Sequence, residues 1–190
     1  MEAQWRRVEK RHEDDAHHKK ILEDYVKEVI PAAIEVELTN KPEWTNSAPP
    51  LVAEFSLKVP GWVSGAGKRA LCPVGLFSGA EKHMFEHAVR VHPLYFHYPS
   101  EKTDDVRIEL PLGWQVGSLP PAQNNDAKVL AYSLKIEKEK DSLHLERHLK
   151  SSLTFLEQKY YAALRNFYQA VRSADDQQIV LQPMGAFSGN

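Results

Sequence analysis

The run from Leu130 to Leu153 constrains this chain most. Leu130, Tyr132, Leu134 and Ile136 occupy every second position, and after a charged stretch at 137–141 Leu143, Leu145, Leu149 and Leu153 continue the period of two on odd positions. A period of two places one set of side chains on one face of a sheet and the intervening set on the other. Two such runs joined by a short polar turn read as a long antiparallel hairpin. A lone hairpin with one apolar face is marginal in water, so further strands or a helix must cover it.

The remaining sequence supplies both. Ile34, Val36 and Leu38 alternate with glutamates, and Leu51, Ala53, Phe55, Leu57 and Val59 alternate with polar residues. Shorter strands are expected over 69–72, 89–98, 106–110, 114–116 and 179–182. Pro60-Gly61, Gly65-Ala66-Gly67, Pro111-Leu112-Gly113 and Pro120-Pro121 mark turns between them. Residues 73–87 read as irregular and 120–126 as a loop. Two segments change to a period of 3.6. Leu22, Tyr25, Val26 and Val29 form the stripe of a helix over 4–30 that Pro31 closes. Tyr160, Leu164, Phe167, Tyr168 and Val171 form the stripe of an amphipathic helix over 157–173. Arg6 to Lys20 is almost entirely charged or histidine and is expected to project into solvent or fray.

The expected fold class is mainly β within α+β: an antiparallel, β-sandwich-like domain with an N-terminal helix and a C-terminal amphipathic helix. The expected organisation is an N-terminal helix over 1–31, leading from an upstream domain, a β-rich domain over 32–182 and a loose tail over 183–190. A single curled sheet backed by both helices is the alternative.

Charge and cysteine usage narrow the function. With 24 basic and 26 acidic residues the net charge is −2, too little positive field for binding a nucleic-acid backbone. No apolar run approaches the roughly 20 residues of a membrane-spanning helix, and the charged start of the chain is not expected to be a signal peptide. The one cysteine, Cys72, lies between Leu71 and Pro73. It reads as a small buried side chain, since a thiol nucleophile needs an activating neighbour.

The histidines offer little. His12 and His17 are five apart, about 140° round a helix, and cannot share a face. His144 and His148 fall on the polar face of their strand. His83, Glu86 and His87 have usable spacing and are the one metal-site candidate carried forward. Gly65-Ala66-Gly67-Lys68 lacks both the upstream glycine and the following Ser or Thr of a phosphate loop, and reads as a hairpin turn. Asp104 and Asp105 read as turn formers ahead of a strand. Tyr95, Phe96 and Tyr98 read as core and cross-strand residues. No catalytic residue and no cofactor site is assigned.

Two stretches carry a resemblance. The first runs from Phe85 through Arg90-Val91-His92-Pro93-Leu94-Tyr95 to Leu110-Pro111-Leu112-Gly113-Trp114 and Ser118-Leu119-Pro120. The second runs from Tyr160 to Tyr168 and ends in Asp175, Asp176, Ile179, Val180 and Leu181. Together they resemble the β-rich domain of unknown function that follows the catalytic core in bacterial transglutaminase-like proteins, as scattered motifs over most of residues 5–182. The resemblance implies a non-catalytic accessory or protein-interaction domain. The Cys-His-Asp triad would then belong to an upstream transglutaminase-like domain of the same chain, and Cys72 matches no part of it. It also implies a Gram-negative parent, a periplasmic or otherwise extracytoplasmic location, and envelope proteins or peptides as partners. The alternative is a stand-alone carbohydrate- or metal-binding β-sandwich domain.

Overall fold

The computed structural model describes residues 7–30, 35–46, 48–78 and 84–185. Ile34, His83 and the tail beyond residue 185 lie outside the described residues. The chain divides into two compact units, Met1–Gly61 with Phe77–Ala80, and Trp62–Leu76 with Glu81–Asn190.

In the first unit the expected helix over 4–30 is interrupted. Residues 7–10 are helical, 11–14 are not, and α1 runs from Asp15 to Val29. The break has a local cause. Asp14 is extended, and its carboxylate accepts from the His17 backbone N–H at 2.8 Å, capping a new helix. Most described residues of the charged segment are exposed, as expected, but two are buried. Arg7 is 2% exposed and His18 is 7% exposed. His18 stacks on Trp44 with ring centroids 4.1 Å apart and planes 6° from parallel, and its Nε2 lies 2.7 Å from the Lys10 carbonyl oxygen. Strand β1 (Glu35–Leu38) pairs antiparallel with β2 (Phe55–Lys58), Val36 opposite Leu57. Residues 51–54 alternate as expected but form no strand. Glu23 of α1 accepts from the Leu38 N–H at 3.1 Å and ties the helix to β1.

The second unit is an antiparallel, β-rich α+β fold. Strands β3 (Ser64–Ala66), β4 (Arg69–Pro73), β7 (Trp114–Ser118) and β12 (Gln178–Pro183) form one four-stranded sheet in the order β3-β4-β12-β7. Strands β6 (Ser100–Glu109), β8 (Gln123–Asp126), β9 (Leu130–Lys138) and β10 (Ser142–Ser151) form another in the order β6-β10-β9-β8. A minimal pair, β5 (Leu94–Tyr95) and β11 (Phe155–Leu156), stands beside them. Both large sheets and helix α2 (Tyr161–Asp175) contribute to one hydrophobic core, through Cys72, Ile179, Leu134, Leu143 and Val171 among others. Each such fully buried aliphatic side chain contributes about 1.5–3 kcal/mol.

The hairpin β9–β10 has the expected register, Leu145 opposite Ile136 and Leu149 opposite Tyr132. The turn at Gly67 is also as expected: its φ of 63° is one that glycine adopts freely. Other expectations are corrected. Residues 89–98 are irregular save for Leu94 and Tyr95, and Val89 and Val91 are exposed. Pro93 removes a ladder donor in the middle of that run. The supposed loop at 120–126 ends in β8, which pairs with β9 through polar residues that lack an apolar alternation. The C-terminal helix begins at Tyr161 after a 3-10 turn, so Tyr161 is buried and Tyr160 is exposed.

Candidate functional site

The strongest polar constellation lies in the core of the second unit. The buried face of β10 reads Leu143, Leu145, Arg147, Leu149. Arg147 therefore enters a leucine position, opposite Asp104 of β6 on one side and Leu134 of β9 on the other. It is 1% exposed. Its Nε donates to Asp175 Oδ1 and its Nη2 to Asp175 Oδ2, both at 2.8 Å. Its Nη1 donates to Asp104 Oδ2 at 3.2 Å. Tyr132 of β9 donates its hydroxyl to Asp175 Oδ1 at 2.8 Å. Burial, and then the adjacent Asp175 charge, pushes the Tyr132 phenol well above its ordinary value.

Asp175 is the last residue of α2, where the helix dipole opposes a negative charge. Only a cation held in place makes that position favourable, so Arg147 fixes the end of α2 on the sheet. Asp104 and Asp105, expected to be turn formers, lie in mid-strand on opposite faces of β6. Asp104 meets Arg147, whereas Asp105 points outward.

The outward face of the same sheet carries charge. His144 Nε2 lies 2.8 Å from Asp105 Oδ1, and His148 Nε2 lies 2.8 Å from Glu101 Oε1. The hydrogen bond to Asp105 raises the His144 ring above its ordinary value. Both histidines occupy the polar face expected for them.

A groove of about 400 Å³ lies where the β8–β9 turn, β11 and the start of α2 meet. Val129, Leu153, Phe155, Tyr160 and Phe167 help line it, and Glu157, paired with Lys159 at 2.9 Å, is its only charged lining residue among those described. Val129, Phe155 and Tyr160 are substantially exposed. Tyr95, 76% exposed, packs on Phe155 with ring centroids 5.0 Å apart. The turn that delivers Val129 holds Lys128 at φ 66°, an uncommon conformation for a non-glycine residue, with its N–H donating to Asp126 Oδ1 at 2.7 Å.

The other candidates do not converge. Cys72 is 4% exposed, between the Trp62 side chain and the Pro73 carbonyl, and burial raises its thiol above the ordinary value. His83 is outside the described residues. Glu86 lies 4.0 Å from Arg172, and His87 is exposed, its carbonyl accepting from the Tyr161 hydroxyl at 2.8 Å. Among the described residues no three His, Cys, Asp or Glu side chains gather as metal ligands would.

Residues 68–181, running from β4 into β12, match the family model described as a domain of unknown function with a solved structure, DUF3858. The chain belongs to this family. No curated protein and no solved structure matches the chain. The DUF3858 span contains the Arg147 network, the outward histidines and the groove, whereas α1, β1, β2 and β3 fall outside it.

Arg147 and the groove were not singled out from sequence. Arg147 had a signal, a cation on the apolar parity of a leucine strand. The groove had none, because residues at 127–130 and 153–167 meet only in three dimensions.

Proposed function

We propose that this DUF3858 chain is a non-catalytic accessory domain that binds another protein segment through the apolar groove, as part of a transglutaminase-like bacterial protein. The groove carries the reading. Exposed Val129, Phe155 and Tyr160, with Tyr95 beside them, make an aromatic-rich concave patch of the kind that anchors protein partners. Its lining favours an apolar segment over a sugar, since Glu157 and the Tyr160 hydroxyl are almost its only polar side-chain groups.

The absence of a catalytic role is supported by the state of Cys72. A thiol raised by burial, with indole and carbonyl as its neighbours, is the opposite of an activated nucleophile. The transglutaminase-like parent, its upstream catalytic domain as partner, and an extracytoplasmic location in a Gram-negative bacterium rest on the sequence resemblance. The test is a calorimetric titration of this chain with the transglutaminase-like domain of its parent protein. Saturable binding that Phe155→Ser weakens at least tenfold supports the reading. No heat of binding, or equal binding by the variant, refutes it.

A further inference from the structure

The first unit buries an arginine, two of whose three guanidinium nitrogens meet no acceptor among the described residues. Arg7 Nη1 donates to the Pro49 carbonyl oxygen at 2.7 Å. Its Nε and Nη2 are shielded from water and meet no acceptor among the described residues. These are the two nitrogens through which Arg147 grips both oxygens of Asp175. A guanidinium stays charged at any physiological pH, and a buried cation without a counter-charge is among the costliest arrangements in a protein.

Glu43 does not fill the fork. Hydrogen bonds from Thr45 and Asn46 hold its carboxyl below the ordinary range, and the charge of Arg7 contributes least. Its Oε1 accepts from the Thr45 N–H and hydroxyl and from the Asn46 N–H, and the residue is exposed. The next residue, Trp44, is buried under the stacked ring of His18 and holds another unspent donor, its indole N–H.

We propose that the first unit holds a carboxylate on Arg7, with one oxygen accepting from Nε and the other from Nη2. A planar, singly charged group matches the two parallel N–H bonds and neutralises the one buried charge. A phosphate brings a second negative charge to a place that already feels Glu43. The site lies outside the family span of residues 68–181 and is independent of the groove.

The experiment uses the full chain labelled with 15N and follows the arginine Nε–Hε NMR signals. Sodium acetate is titrated against sodium chloride at matched ionic strength. A parallel arm uses the blocked peptide acetyl-Gly-Glu-Gly-amide, which separates a free small acid from a carboxylate borne by a polypeptide, and another uses inorganic phosphate. The expected result is a saturable shift of the Arg7 signal with one or both carboxylates and none with chloride. Arg7→Lys, which keeps the cation but loses the fork, is expected to bind at least tenfold more weakly in a tryptophan-fluorescence titration. Absence of a saturable carboxylate shift, the same shift with chloride, tighter binding of phosphate, or undiminished binding by a folded Arg7→Lys each overturns the proposal. The wild-type titration decides by itself if the variant does not fold.

Discussion

Arg147→Ala should be among the most destabilising single changes in the DUF3858 span. It removes two bonds of 2.8 Å to Asp175 and one of 3.2 Å to Asp104. It also strands the Asp175 carboxylate, 4% exposed, at the helix end where the dipole already disfavours it. Removing one partner of a buried ion pair costs about 3–5 kcal/mol, because the other charge stays buried without compensation. That is a large part of the roughly 5–15 kcal/mol by which a domain is stable. With a urea m-value of about 2 kcal/mol/M, the midpoint should fall by about 1.5–2.5 M. Urea unfolding followed through the NMR methyl signals of Leu134 and Val171 reads the unit that contains the network. Arg147→Met combined with Asp175→Leu removes both charges, and should recover most of the single variant's loss. A loss below about 1 kcal/mol in Arg147→Ala, or no recovery in the double variant, would refute the claim that Arg147 holds α2 to the sheet.

Three further outcomes follow from individual groups. The Tyr132 phenol keeps its proton in the folded state above the pH, about 10, at which it ionises in the unfolded chain. The stability it contributes is therefore present below pH 10 and lost at higher pH, by roughly 1.4 kcal/mol per unit. Tyr132→Phe should remove that slope in alkaline urea melts, and an unchanged slope contradicts the assignment. His144 is raised by Asp105, so its contribution is complete below about pH 6.5 and fades as pH rises through the raised value. An NMR titration should find the His144 midpoint lowered in Asp105→Asn, whereas an equal midpoint in both proteins refutes the pairing. Native Cys72 should react with a thiol reagent at pH 8 far more slowly than the same residue in urea, and the isolated chain should not incorporate an amine into a glutamine peptide. Turnover that Cys72→Ser abolishes would reverse the reading of Cys72.

Sequence periodicity was sufficient where one face of a strand is buried and the other wet. The hairpin 130–151, the strand at 179–182 and the stripe Leu164, Phe167, Val171 all follow from it, because burial selects side chains with the period of the element. It failed where polar side chains work in pairs across space. Arg7 and His18 look solvated in a charged run, yet Pro49 and Trp44, far along the chain, make their burial possible. Asp104 and Asp105 look like a turn until Arg147 is seen opposite the first and His144 diagonal to the second. The aromatic run at 94–98 looks like a strand, but the ladder takes in only Leu94 and Tyr95, paired with Leu156 and Phe155. Those contacts join residues tens of positions apart, and no local pattern encodes them.

The most direct test of the accessory reading is a hydrogen-exchange footprint of the chain, alone and with the transglutaminase-like domain of its parent protein. The account predicts added protection at 127–130 and 153–164, around the groove, with the outward sheet face at 101–109 and 142–150 unchanged. Protection confined to that outward face, or no change anywhere at saturating partner, would contradict it.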